Sequence, residues 1–226
     1  MNDSFRRVMA ALVLFGISFG FVEAAVVVYL RAMLAPVRRQ VYPTVPEKDV
    51  FPIIKIEQLG PELTAILKVE LLRELATLVM MSAVGLLVSR KWLAGYAVAF
   101  GVWDISFYGF LKILIDWPES LFTWDLLFLL PVPWYGPVIA PMIVAATMIW
   151  LGASYLRQPF EVRKDFVLGP ALLVIAFCWD WRNLLAGGLP NPFPWWLFAL
   201  GEAMLLLSCK GWSLFQTGSR GPARAE

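Results

Sequence analysis

The sequence predicts an all-α polytopic membrane protein, a bundle of six transmembrane helices with one short re-entrant or interfacial helix at about residues 121–131. The first observation is composition: of 226 residues, 60% are hydrophobic and only 16% are charged, and the mean hydropathy is +0.70. Soluble domains are about half apolar and a quarter charged, so this balance is typical of membrane proteins. The second observation is a series of apolar segments of about 20 residues, the length that spans a bilayer as a helix.

Six apolar segments are long enough for such spans. Because lipid offers backbone groups no hydrogen-bond partners, each is expected to be helical. The six segments lie near 8–30, 70–89, 92–115, 138–156, 167–187 and 195–214.

A shorter apolar segment lies between the third and fourth spans. Its apolar part, 126–130, is too short to cross a bilayer, and Pro131 and Pro133 would end a helix there. Thr123 is a candidate N-cap for this helix, with Asp125 in the first turn near the positive end of the dipole. These features predict a re-entrant or interfacial helix over about 121–131.

The distribution of Lys and Arg predicts the orientation. In bacterial membranes, cytoplasmic connections carry an excess of these residues. With six spans and both termini cytoplasmic, four basic sets fall on the cytoplasmic side: Arg6 and Arg7; Arg90 and Lys91; Arg157, Arg163 and Lys164; Lys210, Arg220 and Arg224.

The same orientation defines the domain organisation. Residues 1–226 form one integral membrane domain, 31–69 an outer loop and 216–226 a short cytoplasmic tail. The outer loop is an exception to the charge rule, although its acidic residues largely offset its basic ones. We expect an integral protein of the bacterial inner membrane.

The amino-acid composition argues against several classes of function. The chain has no histidine, which argues against His-ligated haem or zinc and against a histidine general base. Cys178 and Cys209 lie in apolar segments without a CxxC pattern, which is typical of buried thiols. A net charge of +2 and the absence of a long basic run argue against binding nucleic acid.

Acidic residues within the predicted spans are the main candidates for a site. A buried carboxylate costs at least about 2.5–3.5 kcal/mol in mid-membrane, so each requires a partner, a proton or water. The predicted topology brings these acids to the outer half of the membrane, which suggests one polar cavity that opens outward. The candidate ligand- or cation-binding residues are Glu23, Glu74, Asp104 and Glu202, of which Glu23, Glu74 and Asp104 are also candidate metal ligands.

Four further residues are candidates for ion pairing or charge balance. Glu70 and Arg73 are three residues apart, so their side chains can meet on one helix face, although Glu70 would also suit the membrane interface. Asp180 and Arg182 are expected to form a structural ion pair. Glu74 shares a helix face with Glu70 and requires a partner from elsewhere.

Three hypotheses of function remain open at this stage. The first is an outward-facing carboxylate-lined cavity that binds a cation or a proton-coupled polar ligand, for transport or binding. The second is a non-catalytic integral subunit of a larger membrane complex, and the third is a metal-dependent lipid-active membrane enzyme. No cofactor is required by the sequence, but an all-oxygen set of ligands suits a hard divalent cation such as Mg²⁺, Ca²⁺ or Mn²⁺. The expected partners are the lipid bilayer and, under the second hypothesis, other membrane subunits.

Overall fold

The computed structural model describes residues 3–45, 54–55 and 58–210, and most of them are helical. The α-helices are α1 (Asp3–Val41), α2 (Pro61–Leu86), α3 (Trp92–Ile115), α4 (Ile139–Arg157), α5 (Leu168–Phe177), α6 (Trp181–Leu185) and α7 (Trp195–Leu207). Short 3-10 turns cover Ser89–Lys91 and Lys164–Val167, and the strands are β1 (Trp124–Phe128), β2 (Trp134–Pro137), β3 (Glu161–Val162) and β4 (Cys209–Lys210).

Four helical segments are long and apolar enough to cross a membrane, so the fold is compatible with an integral membrane protein. They are Asp3–Val41, Trp92–Ile115, Ile139–Arg157 and Lys164–Leu185, the last of which joins a 3-10 turn, α5 and α6. The predicted count of six spans is not confirmed. Helix α2 has 26 residues but carries four charged residues between Lys68 and Glu74, and α7 has only 13 residues, or about 20 Å. The predicted sixth span, 195–214, extends beyond the described residues.

Helix α3 occupies the centre of the bundle, with α1, α2 and α4 packed along it. Small residues allow these close approaches: a Cβ at Gly20 would lie 2.9 Å from the backbone oxygen of Trp103, and one at Gly101 would lie 2.5 Å from that of Ala145. Helix α5 packs on α7 in a second group, and β3 pairs with β4 to join the segment after α4 to the segment after α7.

The predicted short helix over about 121–131 is wrong, because this segment begins an antiparallel β-hairpin. Strand β1 pairs with β2, with Leu126 opposite Tyr135 and Phe128 opposite Trp134. The rings of Phe128 and Trp134 are in edge-to-face contact, with centroids 5.9 Å apart, and such cross-strand aromatic pairs stabilise a sheet. The apolar run is as long as a typical strand, and the prolines that would end a helix lie in the connection between the strands.

The residues assigned to the start of that helix have other roles in the hairpin. The hydroxyl of Thr123 accepts a hydrogen bond from the backbone N–H of Ser120 at 3.0 Å, which closes a turn before β1. Asp125 lies in β1 and is buried.

The connection between the first two helices is shorter than the predicted outer loop of 31–69. Helix α1 continues to Val41 and α2 begins at Pro61, so both helices extend into that range. The predicted cytoplasmic tail, 216–226, lies outside the described residues.

Candidate functional site

A cavity of about 540 Å³ lies among α1, α2, α3 and the β1–β2 hairpin. Aliphatic side chains of α1 and α2 form one wall, including Val27, Leu30, Leu63 and Leu67. The hairpin forms another wall, because residues 126–129 and 131–134 line the cavity. The segment between α3 and α4 therefore borders the site as two strands and their connection.

Charged side chains concentrate in this lining. Five carboxylates line it: Glu23, Glu70, Glu74, Asp104 and Asp125. Three cationic side chains accompany them: Arg31, Lys55 and Arg73. The carboxylates outnumber the cations, so the cavity has a negative balance when all eight groups are ionised.

Arg73 joins α2 to α1 through two carboxylates. Its guanidinium donates to Glu70 on the same helix, with the Nε–Oε2 distance at 2.8 Å, and also contacts the carboxylate of Glu23 on α1. The hydroxyl of Thr77 donates to the other oxygen of Glu23 at 2.7 Å. Glu23 is buried, so this cluster supplies the partners that its position requires.

Glu74 joins α2 to the hairpin. Both of its carboxylate oxygens accept the backbone N–H of Leu129, at 2.9 and 3.1 Å. Leu129 directly follows β1, where ladder pairing ends, so the carboxylate satisfies a backbone donor that the sheet leaves free.

Asp104 lies in the cavity wall on α3 and is 8% exposed. Its Oδ2 is buried and has no hydrogen-bond partner within the described part of the chain. The indole N–H groups of Trp103 and Trp134, which also line the cavity, likewise have no acceptor among the described residues. Buried polar atoms normally have partners, so these three side chains of the lining carry hydrogen-bonding capacity that the described part of the chain does not use.

Arg31, Asp125 and Tyr108 form a second polar cluster, which the sequence did not identify as part of a site. The hydroxyl of Tyr108 donates to Asp125 at 3.0 Å, and the guanidinium of Arg31 lies 3.8 Å from the other carboxylate oxygen. The guanidinium also lies over the ring of Trp117, 3.9 Å from its centroid. Burial raises the pKa of Asp125 to about 6, whereas Arg31 and the hydrogen bond from Tyr108 oppose that rise.

The spacing of α1 is the signal that points to Arg31. Glu23, Val27 and Arg31 recur every four residues, and residues at that spacing share one helix face. All three line the cavity.

Three candidate residues lie outside the cavity. Asp180 accepts hydrogen bonds from the side chain of Asn183 and from the backbone and side chain of Asn191. Among the described residues Asp180 forms no salt bridge with Arg182, because its carboxylate is held by the two asparagines and the guanidinium of Arg182 lies over the ring of Trp181. The predicted Asp180–Arg182 ion pair is therefore wrong.

Glu202, the third of these residues, is buried between α7 and α4. One of its oxygens accepts a hydrogen bond from Thr147 at 3.0 Å, while Oε1 is buried without a partner within the described residues. It resembles Asp104 in burial but does not line the cavity.

The proposed metal ligands have separate partners. Glu23 contacts Arg73 and Thr77, and Glu74 accepts a hydrogen bond from the amide of Leu129. Of the three candidate metal ligands, Asp104 is the one not engaged in this way. Across residues 3–45, 54–55 and 58–210, no group of three acidic or cysteine side chains is placed to hold a metal ion.

Comparison with known proteins adds no family to these observations. No family model, no curated protein and no solved structure matches this chain.

Proposed function

We propose that this integral membrane protein binds a cationic ligand in its carboxylate-lined cavity, for transport or binding, and that ligand binding is coupled to a proton at Asp104. The observation that carries the proposal is the buried Oδ2 of Asp104, which has no partner in the described chain although its residue lines the cavity. An unpaired buried carboxylate is costly, and a cation or a proton removes that cost.

The position of the acidic side chains in the cavity wall supports ligand binding over a role as a subunit of a larger complex. Charges that pair with partner helices would face the outer surface of the bundle. Glu23, Glu70, Glu74 and Asp104 instead line an internal cavity, as do the cations that neutralise part of their charge. In the predicted orientation, with both termini in the cytoplasm, the segments that form this cavity lie toward the outer side of the membrane.

Thermal unfolding of the detergent-purified protein tests cation binding with simple probe cations. We would measure the melting temperature with Mn²⁺, tetraethylammonium and tetraphenylphosphonium, for the wild type and Asp104→Asn. We expect at least one cation to raise the melting temperature of the wild type and to lose that effect in Asp104→Asn, because a ligand stabilises the state that binds it.

Glu202→Gln is the matched control for this experiment. It also neutralises a buried acid that has an unpartnered oxygen, but at a position outside the cavity, so it should retain the response. If none of the three cations raises the melting temperature, or if Asp104→Asn responds like the wild type, cation binding at Asp104 is wrong.

Proton coupling is measured in the same preparation with a pH-sensitive dye in weak buffer. Addition of the stabilising cation should release protons from the wild type and not from Asp104→Asn. Cation binding without proton release would overturn the coupled part of the proposal.

A further inference from the structure

We infer that the ligand is a monovalent organic cation with a large apolar body, with its charge at Asp104 and its body against the aromatic and aliphatic walls. This inference rests on the proposed function and specifies the class of ligand.

The size of the cavity favours a molecule over a bare ion. About 540 Å³ is within the range of pockets that hold drug-sized ligands, whereas a metal ion occupies only a small fraction of that space. Most of the lining is aliphatic or aromatic, which favours a ligand that leaves apolar surface to bury.

Aromatic side chains line the cavity together with Asp104. Phe100, Trp103 and Phe107 flank it on α3, and the ring centroids of Phe100 and Trp103 are 5.0 Å apart. Phe128 and Trp134 of the hairpin complete this aromatic wall, with Phe128 6.3 Å from Trp103. Organic cations are attracted to the faces of such rings, so the wall and the carboxylate would recognise the same ligand.

The partners of the lining carboxylates favour a ligand with a single positive charge. Glu70 and Glu23 share the guanidinium of Arg73, and Asp125 is paired with Arg31 and Tyr108. Glu74 is engaged by the amide of Leu129. Asp104 thus supplies the one carboxylate oxygen in the described lining that is buried without a partner, whereas a hard divalent ion takes six or more oxygen ligands.

Two probes of the same shape and opposite charge test this inference. We would measure equilibrium binding of tetraphenylphosphonium and of tetraphenylborate to the full-length protein in detergent. The cation should bind more tightly than the anion by at least about tenfold, and Asp104→Asn should abolish most of that difference. Tetramethylammonium, which has the charge without the aromatic body, should bind more weakly than tetraphenylphosphonium.

Neighbouring leucines of α2 provide a matched pair of wall variants. Leu71 lines the cavity, while Leu72 is 67% exposed on the outside of the helix. Leu71→Trp should weaken binding of tetraphenylphosphonium by about tenfold because the indole fills the space of the ligand body, whereas Leu72→Trp should leave it unchanged. If Leu71→Trp does not fold, Val27→Trp on the α1 wall replaces it, with the exposed Val22→Trp as its control.

The outcomes separate this inference from the proposed function. If Mn²⁺ stabilises the wild type through Asp104 and tetraphenylphosphonium does not, cation binding stands and the organic ligand class is wrong. If both tetraphenyl ions bind equally and Asp104→Asn changes neither, the binding is only hydrophobic and the inference falls. If Leu71→Trp and Val27→Trp both fold and bind tetraphenylphosphonium like the wild type, the apolar body of the ligand does not occupy this cavity.

Discussion

Replacement of Arg73 is the most direct test of the polar cluster between α1 and α2. Arg73→Met keeps an unbranched apolar stem but removes the guanidinium, which leaves Glu23 and Glu70, whose side chains are 4% and 13% exposed, without their cation. Breaking a buried ion pair by removing one partner typically costs about 3–5 kcal/mol. Because the side chain of Arg73 is 26% exposed, solvent screens part of this interaction, and we expect a loss of about 2–3 kcal/mol.

A double-mutant cycle with Glu23→Gln isolates the contact between the helices. Glutamine can still accept the hydrogen bond from Thr77, and Arg73 retains Glu70 as a partner. We expect a coupling free energy of about 1.5–3 kcal/mol between positions 23 and 73, the range for hydrogen bonds to charged groups. The assay is reversible unfolding in mixed micelles of a mild detergent and dodecyl sulfate, followed by circular dichroism.

Arg163→Met is the control for the loss of an arginine. Arg163 forms a salt bridge with Asp165, but their side chains are 47% and 36% exposed, so its removal should cost less than about 1 kcal/mol. The reasoning is refuted if Arg73→Met is as mild as Arg163→Met, or if the two mutations at 23 and 73 are additive to within about 0.5 kcal/mol.

Three further predictions concern packing, the hairpin and topology. Gly101→Ala should lower the melting temperature, with a cost of about 1–3 kcal/mol, because its Cβ would meet the backbone of Ala145. On the same helix, a Cβ at Gly109 would meet no neighbouring element of the described chain within 4 Å, so Gly109→Ala should stabilise by about 0.5–1 kcal/mol. Glu74→Ala should accelerate hydrogen exchange of the Leu129 amide, measured by mass spectrometry, because its acceptor is lost; unchanged exchange would contradict the role of this carboxylate. A fluorescent protein fused to either terminus should fluoresce if both termini are cytoplasmic, and a dark fusion at one end would overturn the predicted orientation.

Two kinds of pattern in the sequence predicted features that the structure contains. Long apolar runs predicted helices because a membrane permits few other structures. Helices α3 and α4 match the expected segments to within a residue, and α1 includes its segment but continues to Val41. Helical spacing predicted that Glu70 and Arg73 can meet, and their side chains form a salt bridge. Both predictions depend on local geometry, which a short stretch of sequence determines.

The hairpin could not be recognised in the same way. Five apolar residues fit either a short helix or a strand, and the prolines after them are compatible with both. The choice depends on a partner strand and on the acceptor that Glu74 provides from 55 residues away. The pairing of Arg31 with Asp125 is likewise a long-range contact that spacing along one helix does not encode.

The outcome for the acids shows why depth alone does not define a site. A membrane topology places each residue along the bilayer normal, and in the predicted six-span topology Glu202 and Asp180 would lie about as deep as Glu23. To form a site, the acidic residues must also lie on the sides of their helices that face one another. Which side faces the neighbours depends on how each helix packs. Helices α1 and α2 both pack on α3, so their acids turn toward one cavity, whereas α7 packs on α5 and Glu202 instead contacts Thr147. Asp104 and Glu202 are equally buried, but only Asp104 lines the cavity. Comparison of Asp104→Asn with Glu202→Gln therefore tests whether the effect depends on facing the cavity.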